Sequence, residues 1–127
     1  MRRTICFYDP PPLVFDLSRW VVVDGPHDRN IDVLWFSDCR SMVVLAPLIQ
    51  QARVAVYCQP ESYIDRRDEA GSYIARRLAD LVLYADGTVD WRPRSTTDLD
   101  LIVRQEIFED LAPFLEILGY THKEGGD

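Results

Sequence analysis

Short runs of β-branched and aromatic residues dominate the first third of the chain: Thr4–Tyr8, Leu13–Leu17 and Trp20–Val23, separated by Pro10-Pro11-Pro12 and by Ser18-Arg19. Runs of this length between turn formers predict strands, and their close spacing predicts an N-terminal β-meander with one stiff polyproline corner. Asp32–Phe36 is apolar after its first residue. A strand with one face in water would alternate, so this one is expected at the centre of a sheet.

Residues 37–52 support two readings. As a helix capped by Ser37 or Asp38, the stretch aligns Leu45, Leu48, Ile49 and Ala52 on one face and carries Pro47 as a kink. As a hairpin, Ser41–Leu45 is a strand and only Pro47–Ala52 is helical, with Pro47 at the first helical position. The helix is preferred because it runs into Arg53–Cys58, which has the pattern of a buried parallel strand.

Farther along, Ser62 and Asp65 form a capping box for a helix over Tyr63–Ala79, and Leu81–Ala85 and Thr88–Trp91 flank the hairpin signal Asp86-Gly87. Asp98–Leu118 reads as a long amphipathic helix capped by Thr96 or Thr97, interrupted at Pro113 and stopped by Gly119. The expected fold is α/β: a single small sandwich with a mixed sheet, an N-terminal β-meander, a βαβ core and a C-terminal amphipathic helix. It occupies 1–121, with 122–127 as a frayed tail.

At 127 residues, 47% hydrophobic and 28% charged, the composition is that of one ordinary globular domain, outside the disordered, collagen-like and coiled-coil extremes. Charge divides unevenly: residues 98–127 hold eight acids against Arg104 and Lys123, net −6 of a total of −7. An acidic chain repels phosphate at long range, which disfavours nonspecific nucleic-acid and membrane binding. Cys6, Cys39 and Cys58 are odd in number and have no metal-ligand spacing, so neither a disulfide framework nor a metal site is expected. With no apolar stretch of membrane-spanning length, the expectation is a cytoplasmic protein without a cofactor.

Only seven residues, Asp24–Asn30, separate Trp20–Val23 from Ile31–Phe36, too few for a parallel crossover, so these strands are expected to be antiparallel. That arrangement places Asp24, His27 and Asp28 at one end of the sheet and Cys39 at the other, and breaks up a nucleophile, base and orienter built from Cys39, His27 and Asp28. Val21-Val22-Val23-Asp24-Gly25 resembles the first strand of PIN/NYN-type nucleases, in which a hydrophobic strand ends in a metal-binding Asp followed by Gly. The likeness covers five residues, with Pro26 and His27 where an Asn often follows, and no metal ligand is carried over. Trp35–Arg40 is similar in placement to the Asp-x-Asp of haloacid-dehalogenase-like phosphatases, but Arg40 stands where their second Asp, the general acid, would be.

Two candidate sites follow. The carboxyl ends of the parallel strands bring Ser37, Asp38, Cys39 and Arg40 toward Glu61, Ser62 and Asp86, an edge where helix N-termini and a guanidinium suit an anion. The C-terminal helix carries Glu106, Glu109, Asp110 and Glu116 opposite Val103, Ile107, Leu111, Phe114 and Leu118, which directs acid outward and suits a partner protein with a basic surface. With no catalytic signature, the favoured expectation is a non-enzymatic interaction or regulatory module. The alternative is a hydrolase or anion- or nucleotide-binding protein using the strand-end edge.

Overall fold

The computed structural model describes residues 3–8, 18–23, 31–37, 42–60, 70–95 and 97–122, with the backbone alone of Ala70–Ser72 and of His122. Strands β1 (Arg3–Phe7), β2 (Trp20–Val22), β3 (Val33–Phe36), β4 (Val54–Cys58), β5 (Leu81–Leu83), β6 (Thr88–Trp91) and β7 (Thr121–His122) form one sheet. Helix α1 (Met42–Gln51) links β3 to β4, α2 (Ala70–Leu78) links β4 to β5, and α3 (Asp98–Ile117) links β6 to β7. The order across the sheet is β2-β1-β3-β4-β5-β6-β7.

Strict alternation along the central strands builds two cores. Val33, Trp35, Val54, Val56, Leu81 and Leu83 face α3, where they meet Ile107, Leu111, Phe114 and Leu115. Leu34, Phe36, Ala55, Tyr57 and Val82 face the other way, toward Leu45 and Ile49 of α1 and Ala75 of α2. Each central strand is therefore buried on both faces, which accounts for the uninterrupted apolar run of β3. Trp35 fastens α3 to the sheet through a tilted ring contact with Phe114, centroids 5.9 Å apart.

The α/β class, the β3-α1-β4 parallel unit and the hairpin of β5 and β6 agree with the sequence reading. Residues 42–51 are helical, with Leu45, Ile49 and Ala52 buried as expected. Both prolines inside helices, Pro47 and Pro113, lie on exposed positions, as do Val43 and Glu109, whose carbonyls the missing N–H groups would have bonded. Water can solvate those carbonyls, so α3 runs through Pro113 as one helix and is not interrupted there.

The N-terminal meander is corrected. β1 pairs in parallel with both β2 and β3 and lies between them, so β2 and β3 are neither adjacent nor antiparallel. The ten residues 23–32 between them reach about 33 Å when extended, ample to return past strands of three to five residues without a helix. Because β2 and β3 run the same way, their carboxyl ends share one edge of the sheet, and the topological argument separating Cys39 from His27 and Asp28 fails. Those three residues, the strand expected at Leu13–Leu17, the polyproline corner, Thr96 and the capping box at Ser62 lie outside the described residues. The frayed tail also begins too early, since Thr121–His122 pairs with Thr88–Val89 of β6. No helix among the described residues is long and apolar enough to cross a membrane.

Candidate functional site

Helix α3 is capped by Thr97, which has an extended backbone and whose side-chain oxygen accepts the Asp100 N–H, while Asp98 and Asp100 place acid in the first turn where the helix dipole favours it. It ends with Leu118 donating back to Phe114 and Glu116, and Gly119 at φ +93° reverses the chain into β7. Ile107, Leu111, Phe114 and Leu115 turn inward, as their spacing requires, and Glu106, Glu109, Asp110 and Glu116 are exposed.

The outward face is not purely acidic. Leu99, Ile102 and Ile117 are 75%, 55% and 67% exposed on the same helix, an arrangement that a reading of all apolar residues as core-facing misses. Pro93, Leu101 and Ile102 floor a groove of about 420 Å³ whose lip is formed by Gln105, Glu106 and Glu109. Gln105 is held in place from two sides, accepting from the Trp91 indole at 3.0 Å and donating to Glu109 at 3.4 Å. Trp91 in turn lies flat on Phe108, centroids 4.6 Å apart at an interplanar angle of 8°.

The four carboxylates differ in their surroundings. Arg3 of β1 reaches Asp110 at 2.5 Å and Glu106 at 4.0 Å, so the flank toward β1 is partly neutralised. On the flank toward β6, Glu109 has only the neutral Gln105, and Glu116 has no ion pair among the described residues. Nearer the N-terminus, a hydrogen bond from Arg104 holds the Asp100 carboxyl below the usual carboxylate range, with Ser95 adding to the effect.

At the carboxyl edge of the parallel strands, β5 is parallel to β4, so Asp86 follows it on that edge as expected. Its Oδ1 is engaged within the turn, accepting from the Thr88 N–H at 3.0 Å and the Thr88 hydroxyl at 2.7 Å. Ser37 ends β3 half-buried on the same edge, and Gln59 after β4 accepts from the Ala85 N–H at 3.1 Å. Asp38, Cys39, Arg40, Glu61 and Ser62 lie outside the described residues. No cluster of His, Cys, Asp and Glu able to hold a metal ion occurs among the described residues.

The opposite edge holds the most heavily bonded carboxylate described. Asp80, just before β5, is completely buried. Its oxygens accept from the backbone N–H groups of Ala55 and Arg94, each at 2.7 Å, and from the guanidinium groups of Arg94 at 2.8 Å and Arg104 at 3.1 Å. Those arginines extend to the carbonyls of Ile49, Ala52 and Arg53, joining the end of α1 to β4, β5 and α3. Every oxygen is engaged in holding elements together, which makes this a structural junction. Compared with known proteins, the chain matches no protein-family model, no curated protein and no solved structure.

Proposed function

We propose that this chain is a small non-enzymatic interaction module, cytoplasmic and regulatory in role, that docks a basic segment of another protein on the outer flank of α3. One observation carries the reading: the groove at Pro93, Leu101 and Ile102 has an apolar floor and a glutamate lip, Glu106 and Glu109. An apolar centre with a charged rim is the usual anatomy of a protein contact, and carboxylates at the rim select lysine and arginine. The net charge of −6 over residues 98–127 extends the same attraction to longer range. Three cysteines without the spacing of a disulfide framework fit a reducing compartment.

The test is a titration of the full chain with fluorescent ten-residue peptides mixing leucine with lysine and arginine, beside acidic peptides of the same length. Basic peptides are expected to bind and acidic ones not to, and Ile102→Asp should abolish binding while leaving the thermal unfolding curve in place. Equal binding of both peptide classes, or binding indifferent to Ile102→Asp, refutes the reading.

A second reading is favoured by the strand order. The chain proceeds outward from β1 to β2 and then from β3 to β5 in the other direction, so the order reverses between β1 and β3, where open α/β sheets place ligands beyond the carboxyl ends. There the chain continues from β1 into Tyr8-Asp9, from β2 into Val23-Asp24 and from β3 into Ser37-Asp38-Cys39-Arg40. On this reading the domain is a hydrolase or binds an anion or nucleotide at that edge. Cys39 then reacts with iodoacetamide at pH 7 far faster than Cys6, which is buried, and Cys58, which sits 3.3 Å from the Tyr120 hydroxyl. Labelling of Cys39 no faster than the other two removes it from any nucleophilic role.

A further inference from the structure

The flank of α3 that faces β6 carries a second concavity, one helical stretch beyond the groove at Ile102. It is a cavity of about 260 Å³ walled by Val89, Phe108, Ala112, Leu115, Tyr120 and Thr121, and Glu116 supplies its one charged lining group. Two features make its mouth electronegative. Glu116 has no ion pair among the described residues, and α3 has no basic residue in its last turn, where helices commonly place lysine or arginine against the negative end of the dipole. A cavity with an apolar wall at Val89, Phe108, Ala112 and Leu115 and an unneutralised carboxylate matches a side chain with an aliphatic stem and a cationic head.

We infer that this cavity receives an arginine or lysine side chain of the basic segment that docks on α3, a proposal that rests on the docking function above. The same geometry sets the spacing of the segment's anchors. The α3 residues lining the two concavities are centred about eight positions apart, roughly 12 Å at 1.5 Å per residue. An extended chain rises about 3.3 Å per residue and returns to the same side every second residue, so an apolar anchor at the centre of the first groove and a cationic side chain entering the centre of the second cavity stand about four residues apart. Between them the segment crosses the stacked Trp91 and Phe108 rings beside Glu109, whose carboxylate accepts from Gln105.

The experiment uses the full chain and three labelled ten-residue peptides in one serine and lysine background. The first carries leucine and arginine four residues apart, the second carries them three apart, and the third has norleucine in place of that arginine. The four-residue peptide is expected to bind most tightly, and Glu116→Gln to weaken it roughly tenfold, the value of one charge-assisted contact, while leaving the norleucine peptide unchanged. Ala112→Leu, which fills the cavity from its wall, should remove the preference for arginine over norleucine. If Ile102→Asp abolishes binding but Glu116→Gln weakens arginine and norleucine peptides alike, docking stands and the cavity proposal is overturned. If no basic peptide binds, both fall. Occupation of the cavity by the chain's own Lys123 also overturns the proposal and is read as tighter peptide binding by Lys123→Ala.

Discussion

Arg94 and Asp80 form an ion pair 2.8 Å long in which the carboxylate has no solvent-accessible surface, and the same arginine also donates its backbone N–H to Asp80 at 2.7 Å. Two contacts between one pair of residues clamp the segment after β6 against the start of β5, while the guanidinium closes the end of α1 by donating to Ile49 and Ala52. Removing the carboxylate leaves the Arg94 guanidinium without its counter-charge, while Arg104 keeps Asp100 at 2.9 Å. Asp80→Asn should therefore lower stability by about 3 kcal/mol, measured by urea unfolding. Combining it with Arg94→Met should cost less than the sum of the single changes, because the second substitution removes the stranded charge. Additive losses would show that the two side chains are not coupled.

Much of this architecture was legible in the chain and the junction was not, for a physical reason. Alternation within Val33–Phe36 and Val54–Cys58 and the turn at Asp86-Gly87 act over a few residues, so periodicity reads them directly. Asp80 instead answers to Arg94 and Arg104, 14 and 24 positions away, and nothing in its own neighbourhood marks it for burial. The placement of β1 between β2 and β3 is likewise a property of the whole sheet, which the length of one linker does not decide. At the candidate site the carboxylates of α3 were read correctly as outward. Leu99, Ile102 and Ile117 were missed because an amphipathic reading sends every apolar residue inward.

Asp100 gives a pH-dependent signature. The Arg104 hydrogen bond favours its ionised form, so its pKa in the folded chain lies below the value of about 3.9 expected when unfolded. The sign follows: the contribution is fully present above the unfolded pKa and is lost as pH falls through the folded value. Because the carboxylate is more than a third exposed, at 39%, solvent screening keeps the contribution small. A side-chain NMR titration should place the Asp100 midpoint below the unfolded-chain value, and Arg104→Gln should move it back up. An Asp100 midpoint unmoved by that substitution would disconnect the two groups.

Gly87 and Gly119 both hold φ at +93°, and the space around them separates conformation from packing. A Cβ at Gly87 would meet the Gly119 carbonyl at 3.5 Å, an ordinary contact, and one at Gly119 would meet nothing within 4 Å. Alanine at either position is therefore expected to destabilise by about 1–2 kcal/mol through backbone strain alone. Thermal unfolding of the two variants should show similar losses. A much larger loss at Gly87 would mean that crowding, not φ, decides.

Pro113 offers a change in the other direction. It is exposed within α3, and alanine there restores an N–H able to bond the Glu109 carbonyl without opening a hole in the core. Greater freedom of the unfolded chain offsets part of that gain. Pro113→Ala should stabilise by about 1 kcal/mol, seen as a higher Tm and increased helical circular dichroism. A lower Tm would reveal that the proline fits α3 to the sheet.

Replacing Glu106, Glu109 and Glu116 together with glutamine tests whether the acidic flank acts through its charge. Exposed carboxylates attract a basic partner through a field that salt screens over about 10 Å at 0.1 M, so the triple variant should bind basic peptides more weakly and with a flatter dependence on salt. Folding should survive, because Asp110 still pairs with Arg3 and the other three carboxylates stand in solvent. The change in stability is expected to stay within about 0.5 kcal/mol, with relief of repulsion in the most acidic part of the chain opposing the loss of the weak Arg3 to Glu106 contact. Affinity measured at two salt concentrations, beside thermal unfolding, separates the effects. A folded triple variant that binds as the parent does, with the same salt slope, would return these glutamates to an ordinary solvated helix face and leave the carboxyl edge beyond β1 and β3 as the place to look for function.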